Sequence, residues 1–454
     1  MASSLTQPVN ATNRSILTPV MTLQGYKPSE GEQYTDVLHH VSSISYFPDG
    51  QKMMSGSWDS TARQWDLQVG KEIEKVRDVW EGKVDAVEVS RDGRWVVAAG
   101  GENNYKDKYG KLRACEVETG IVKTFEGHSN KITCIDISAD TTLLASGSED
   151  STRIWSLDTG KLVAGPFKSD ASRNDVGAVR FSGDSKKLAV KSLFGTRLDI
   201  LHVHTQKLDA RVGKSGNGGI WTCAPVFWTA GDKTIIAAFS FNYSAVSDID
   251  FESPRTIHEF DASTLKIVGV PFKGHTLIVT GLALSFDGDL LASASQDNTI
   301  KLWAFKSRQL LASFYVQEPH CIILSPNSHQ LAYTTWCDLK SRIYICDIPS
   351  NILVSIWPAQ EAQPNINTLR NPQRTLRHNP IRAPIPIPPL LPTIYPQRPT
   401  FLHYLRKLLP SSSSTDALRP IRNHEPRDPL DFPATLPLPS NYSPSGQATT
   451  QVRS

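Results

Sequence analysis

Cysteine is scarce. The six (Cys115, Cys134, Cys223, Cys321, Cys337 and Cys346) lie far apart in a chain of 454 residues, and none stands two residues from another, as zinc ribbons and dithiol redox motifs require. This spacing points to a reducing, intracellular setting, cytoplasm or nucleus. Long apolar runs are missing too: nothing approaches the roughly 18 residues of a membrane span. The first twenty residues are rich in Ser, Thr and Asn and lack the apolar centre of a secretory signal. Net charge is only +3, too little to draw the chain to nucleic acid or to a membrane by bulk electrostatics.

Catalytic signatures are equally thin. Gly213-Lys214-Ser215 resembles the end of a phosphate loop, but its earlier glycine would fall at Leu208 and no strand–helix frame surrounds it. His202 and His204 alternate along a strand with no Cys or acid beside them to complete a tetrahedral metal site. No nucleophile with its base and no nucleotide frame emerges. The expectation is a protein that is not an enzyme and needs neither metal nor cofactor.

What is present is a repeat. From Gly274-His275 the chain runs through Val279, Leu282–Gly288 and Leu291–Asn298 to Trp303, three short alternating strands joined by Asp-Gly and Gln-Asp-Asn turns. The same frame runs from Gly127-His128 to Trp155, and from Val41 through Ser57-Trp58-Asp59 to Trp65-Asp66. These copies resemble the WD-repeat family, over roughly residues 17 to 357. With the frame fixed, drifted copies close at Cys115, Leu201, Phe260 and Cys346, which makes seven. Their separations of 50, 40, 46, 59, 43 and 43 residues sit near the roughly 40–45 of a propeller blade.

The resemblance implies an all-β, seven-bladed β-propeller of four-stranded antiparallel blades (17–357), between a disordered N-terminus (1–16) and a disordered C-terminal tail (358–454). A ring of sheets needs a clasp. Pro19–Tyr26 has the look of an outer strand with Tyr26 in the histidine place, and Ile352–Trp357 is an equal contender for that strand. In the third copy Asp150 precedes Trp155 by five residues, where Asp59 and Asp297 precede their tryptophans by six. A one-residue loss flips side chains to the other face unless the turn absorbs it. A shortened turn is expected, with an error in the gene sequence as the rival explanation.

Family structure further implies a hydrogen-bonded tetrad of His275, Ser293, Asp297 and Trp303. A Ser, His and Asp together suggest a hydrolase, but a hydroxyl packed inside a sheet has no oxyanion hole, so a structural role is expected. The rim carrying the His corners and Asp turns is the expected binding surface, with protein partners and a monomeric propeller inside a complex. Three long connections fall there: 102–110 with Tyr105, 213–221 with Trp221, and 241–254 with Asp250 and Phe251. Trp58 occupies the variable turn place filled by Glu149 and Gln296 in the other well-kept copies. An aromatic there is either an interface anchor or a ring folded over the neighbouring blade. The expected function is a non-catalytic interaction scaffold; alternatives are the substrate receptor of a ubiquitin ligase or a sensor-like member of a fungal signalling pathway.

After Trp357 proline dominates, with 19 of 30 prolines in the last 97 residues, and the charge splits into +6 for this tail and −3 for the rest. Within it Phe401, Leu402, Leu405, Leu408 and Leu409 share one helical face between Thr400 and Pro410, which predicts a short helix over 400–409. The run Arg427–Pro433 is similar to tails of expanded WD-repeat families of mushroom-forming fungi.

Overall fold

The computed structural model describes residues 15–25, 40–74, 83–101, 110–168, 176–214, 222–241, 254–336 and 341–357. They form seven antiparallel sheets arranged as blades. Blade 1 shows the pattern. Its innermost strand is Val41–Tyr46, followed outward by Lys52–Ser57, Ala62–Asp66 and Lys71–Glu74. The innermost strands of the others are Val84–Val89, Ile132–Ile137, Val176–Phe181, Phe227–Trp228, Val279–Leu284 and Pro319–Leu324. Blade 5 has three regular strands, and its outer edge is made by two bridges, Ile257 with Phe272 and Phe260 with Ile267.

The seven closing positions read from the sequence all lie one residue from the end of a third strand. Each is buried: Trp65, Cys115, Trp155, Leu201, Phe260, Trp303 and Cys346. Each also belongs to an apolar cluster shared with the preceding blade; Trp303, for example, packs with Ile257 and Phe272 of blade 5. The core is thus a ring of seven inter-blade layers, and the closing residue is the wedge in each. Burying such a side chain stabilises by about 1.5–3 kcal/mol.

The N-terminal segment is the clasp. Met21–Gln24 pairs antiparallel with Arg342–Asp347, and its Leu23 is fully buried. The rival segment instead forms helix α1 (Ser350–Ile356), which seats Ile352 in the cluster between blades 6 and 7. Ser15–Ile16, expected in the disordered N-terminus, adds a parallel strand to the outer edge of blade 6, held there by Leu17, which is buried in the same cluster as Phe314 and Val316. The rest of that terminus (1–14), Tyr26, and the tail with its predicted helix lie outside the described residues.

The short third repeat keeps its register. Leu144 faces Trp155 as Leu291 faces Trp303, and both Ile154 and Trp155 stay buried. The turn absorbs the loss: Ser60 and Asn298 hold positive φ in blades 1 and 6, and that left-handed residue is the one missing in blade 3, where Ser148 N–H reaches Ser151 O at 3.1 Å.

Candidate recognition face

The tetrad forms. His275 Nδ1 is 2.9 Å from Asp297, His275 Nε2 is 2.8 Å from Ser293 Oγ, and Trp303 Nε1 donates to the same hydroxyl at 2.9 Å. A carboxylate only accepts, so Nδ1 carries the proton and Ser293 donates to Nε2. Burial lowers the His275 pKa and keeps the ring neutral, as this chain of bonds requires. Burial would raise Asp297, but the hydrogen bonds it accepts from His275, Thr299 and the Thr276 N–H outweigh it and hold the carboxyl below its usual range. With Ser293 fully buried and accepting from an indole, it is no nucleophile. Blade 3 builds the same network from His128, Ser146, Asp150 and Trp155 at 2.6–2.8 Å. The corner glycine is part of it: Gly127 has φ +143°, and a Cβ there would meet Arg153 Nη1 at 2.5 Å.

A second recurring device ties inner strands together. Ser42 Oγ donates to Val84 O, Thr133 Oγ1 to Val176 O and Thr280 Oγ1 to Pro319 O, at 2.6–2.7 Å. Blades 2 and 7 carry Asp85 and His320 at this ring position. Trp58 and Trp336 lean onto these two departures. Trp58 Nε1 donates to Asp85 at 3.1 Å, and the Trp336 ring stands 4.9 Å from His320. Both tryptophans hold the same turn place in adjacent blades, since their N–H groups reach His40 O and Glu318 O. Their rings are 5.6 Å apart, with the buried His40 ring 4.0 Å from Trp58 and 4.3 Å from Trp336.

Cations frame this cluster. Lys83 Nζ lies 4.3 Å from the Trp58 ring centre and Lys131 Nζ 5.4 Å, and Lys131 also binds Asp85 at 2.8 Å. Burial raises the Asp85 pKa against the opposing pull of Lys131 and Trp58. Burial alone pushes His320 down to about 4, so it is neutral at pH 7. Below the cluster opens the central channel, a cavity of about 330 Å³. Deeper in it Arg180 pairs with Asp136 at 3.0 Å, and burial pushes Glu88 up to about 7.

Of the two readings of Trp58, the ring does fold over its neighbours; it is partly buried. Glu149 and Gln296 hold equivalent places in blades 3 and 6, Gln296 exposed and Glu149 partly so, accepting from Asn130 at 3.4 Å. Neither is part of the aromatic cluster. Tyr105, Trp221, Asp250 and Phe251 lie outside the described residues. Trp336 was missed by the sequence reading, although the rule that singled out Trp58, an aromatic in the variable turn place, applies to it equally. His202 and His204 sit 6.5 Å apart, and among the described residues no group of three His, Cys, Asp or Glu stands ready for a metal. No helix of the described residues is long and apolar enough to cross a membrane.

Seven closing wedges, two complete tetrads and a chain-end clasp define a WD-repeat β-propeller. Comparison with known proteins agrees. Residues 32–66, 120–156 and 265–304 match the family described as "WD domain, G-beta repeat", which are the three copies whose closing tryptophan survives. Three of the seven blades thus carry this family's repeat on a β-propeller fold. It is 25% identical over 205 residues to eukaryotic translation initiation factor 3 subunit I of Culex quinquefasciatus, covering 43% of this chain and 58% of that one. It is 32% identical over 121 residues to the guanine nucleotide-binding protein subunit beta of Arabidopsis thaliana, covering 26% and 32%. To WD repeat-containing protein 18 of Bos taurus it is 24% identical over 301 residues, covering 62% and 66%. The chain therefore spans less than two thirds of the length of each.

Proposed function

We propose that the protein is a non-catalytic, intracellular interaction scaffold that grips a protein partner at the channel mouth, with Trp58 and Trp336 as anchors. The observation that carries this is the paired tryptophans on one rim, framed by Lys83. Trp336 leaves 37% of its surface in water, and aromatic anchors in a partly desolvated patch dominate interface energetics. Trp58 and Trp336 offer an apolar platform, and the Lys83 ammonium favours an acidic neighbour, so the fitting partner is a peptide segment pairing an aliphatic or aromatic side chain with a carboxylate. Glu149, Gln296 and the connections bearing Tyr105, Trp221, Asp250 and Phe251 would extend the contact around the same rim. The likeness to a translation initiation factor subunit supports work inside an assembly. A ubiquitin-ligase or fungal signalling role has no residue here in its favour.

The test is affinity capture from the native cell with wild type, the Trp58→Ala/Trp336→Ala variant and Lys83→Glu, each checked for an unchanged melting curve. Partners lost from both variants support the site. Equal recovery by all three removes the mouth from the interface.

A further inference from the structure

The opposite face of the ring carries a second, independent feature. Each blade's first turn presents one residue after its Ser, Phe or Thr, and in the sequence these are Pro48, Arg91, Ala139, Gly183, Ala230, Phe286 and Pro326. Only Phe286 is large and apolar, and it is 92% exposed, so its ring contributes nothing to blade 6. Beside it lies a groove of about 240 Å³ between blades 6 and 7, walled by Pro326, His329 and Trp357. That is smaller than the roughly 300–1,000 Å³ of a small-molecule pocket and suits one or two inserted side chains.

Trp357 is also where the described chain stops. Helix α1 holds it through a bond from its N–H to Leu353 O at 2.8 Å, and its indole donates to Asp287 at 2.6 Å, so the tail departs from the groove's own wall. The next 43 residues (358–400) lead to the apolar face of Phe401, Leu402, Leu405, Leu408 and Leu409. That length can reach over 100 Å when extended, far more than is needed to turn back on the same two blades. A helix of under three turns is marginal alone, and tethering supplies a high local concentration that lets a weak site fill.

We propose that the Phe286–Trp357 groove is the seat of this chain's own segment Phe401–Leu409. The propeller then covers the most exposed aromatic among the described residues itself, and any partner that reads this face must displace the tail. The basic pair Arg406 and Lys407 belongs to a stretch of charge +6, whereas the rest of the chain carries −3, an opposition that favours the docked state at low salt.

The test uses the full chain with photo-reactive benzoylphenylalanine in place of Phe286, a position so exposed that the fold tolerates the change. Irradiation is expected to cross-link this position to residues 401–409 within a single monomer. In the same labelled chain, Leu405→Asp/Leu408→Asp is expected to cut that product by about tenfold. Cross-linking to a second copy, to another segment, or to nothing overturns the proposal, as does a product unchanged by the double variant. Loss of partners through Trp58 and Trp336 would leave this result untouched, so the two readings fail separately.

Discussion

Blades 6 and 4 have the same four-stranded antiparallel plan, yet different forces hold them. In blade 6, Trp303 wedges against blade 5 and its indole ends the bonded chain through Ser293 and His275 to Asp297. In blade 4 the wedge is Leu201, the serine place is Val190, and the residue two before the wedge is Asp199 where blade 6 has Lys301. That aspartate gathers two arginines, Arg211 at 2.7 Å and Arg197 at 3.3 Å. The apolar wedge is therefore what a blade must have, and the polar network is one of two ways to pin the turn above it.

Five substitutions, grouped in four tests, probe this comparison and the channel beside it. Trp303→Ala should destabilise most, by about 4 kcal/mol, because it opens a cavity and strips Ser293 of its donor. Leu201→Ala should cost only about 2–3 kcal/mol. Equal shifts in urea midpoint for the two would mean that the tetrad adds nothing beyond its wedge.

Next comes Asp199→Ala, expected to cost about 3 kcal/mol, since it leaves two arginines side by side around a buried site. Circular dichroism during denaturation would detect it. A loss below about 1 kcal/mol would make the arginine cluster a surface ornament of the kind exposed ion pairs are.

The third test exploits pH. Glu88 is raised from 4.5 to about 7 by burial, with Arg180 and Arg91 opposing and Asp136 assisting. Its protonated form suits the fold, so the associated stability is complete below about pH 4.5 and is lost as pH rises through about 7. Glu88→Gln should therefore gain about 2–3 kcal/mol over wild type at pH 8 and almost nothing at pH 4.5. A pH-independent difference in melting temperature would refute the assignment.

Smallest is Ser185→Gly. Ser185 holds φ +60° in the blade 4 turn where blade 6 has Gly288 at +74°. Removing the Cβ should gain about 0.5 kcal/mol, visible as a slight rise in melting temperature.

The fold was legible because its two markers, a buried wedge and an Asp-bearing turn, are local. Cys115 and Cys346 were placed by spacing alone, and both are buried in the expected strands. The clasp was not legible, since apolar runs such as Ile352-Leu353-Val354 read equally as strand or helix; the helix begins just after Pro349. The mouth was half legible. Trp58 stood out against its own repeat, but His40, His320 and Lys83 come from the starts of three different innermost strands that no motif links, and only closure of the ring brings them together.

That closure also orders events in time. Leu23 pairs with Ile343, so a strand made early waits for the last one described. At roughly 5–20 residues per second of synthesis, the interval between them is roughly 15–65 s. Over that interval Met21–Gln24 is a strand without its partner, and an unpaired edge is where foreign strands add.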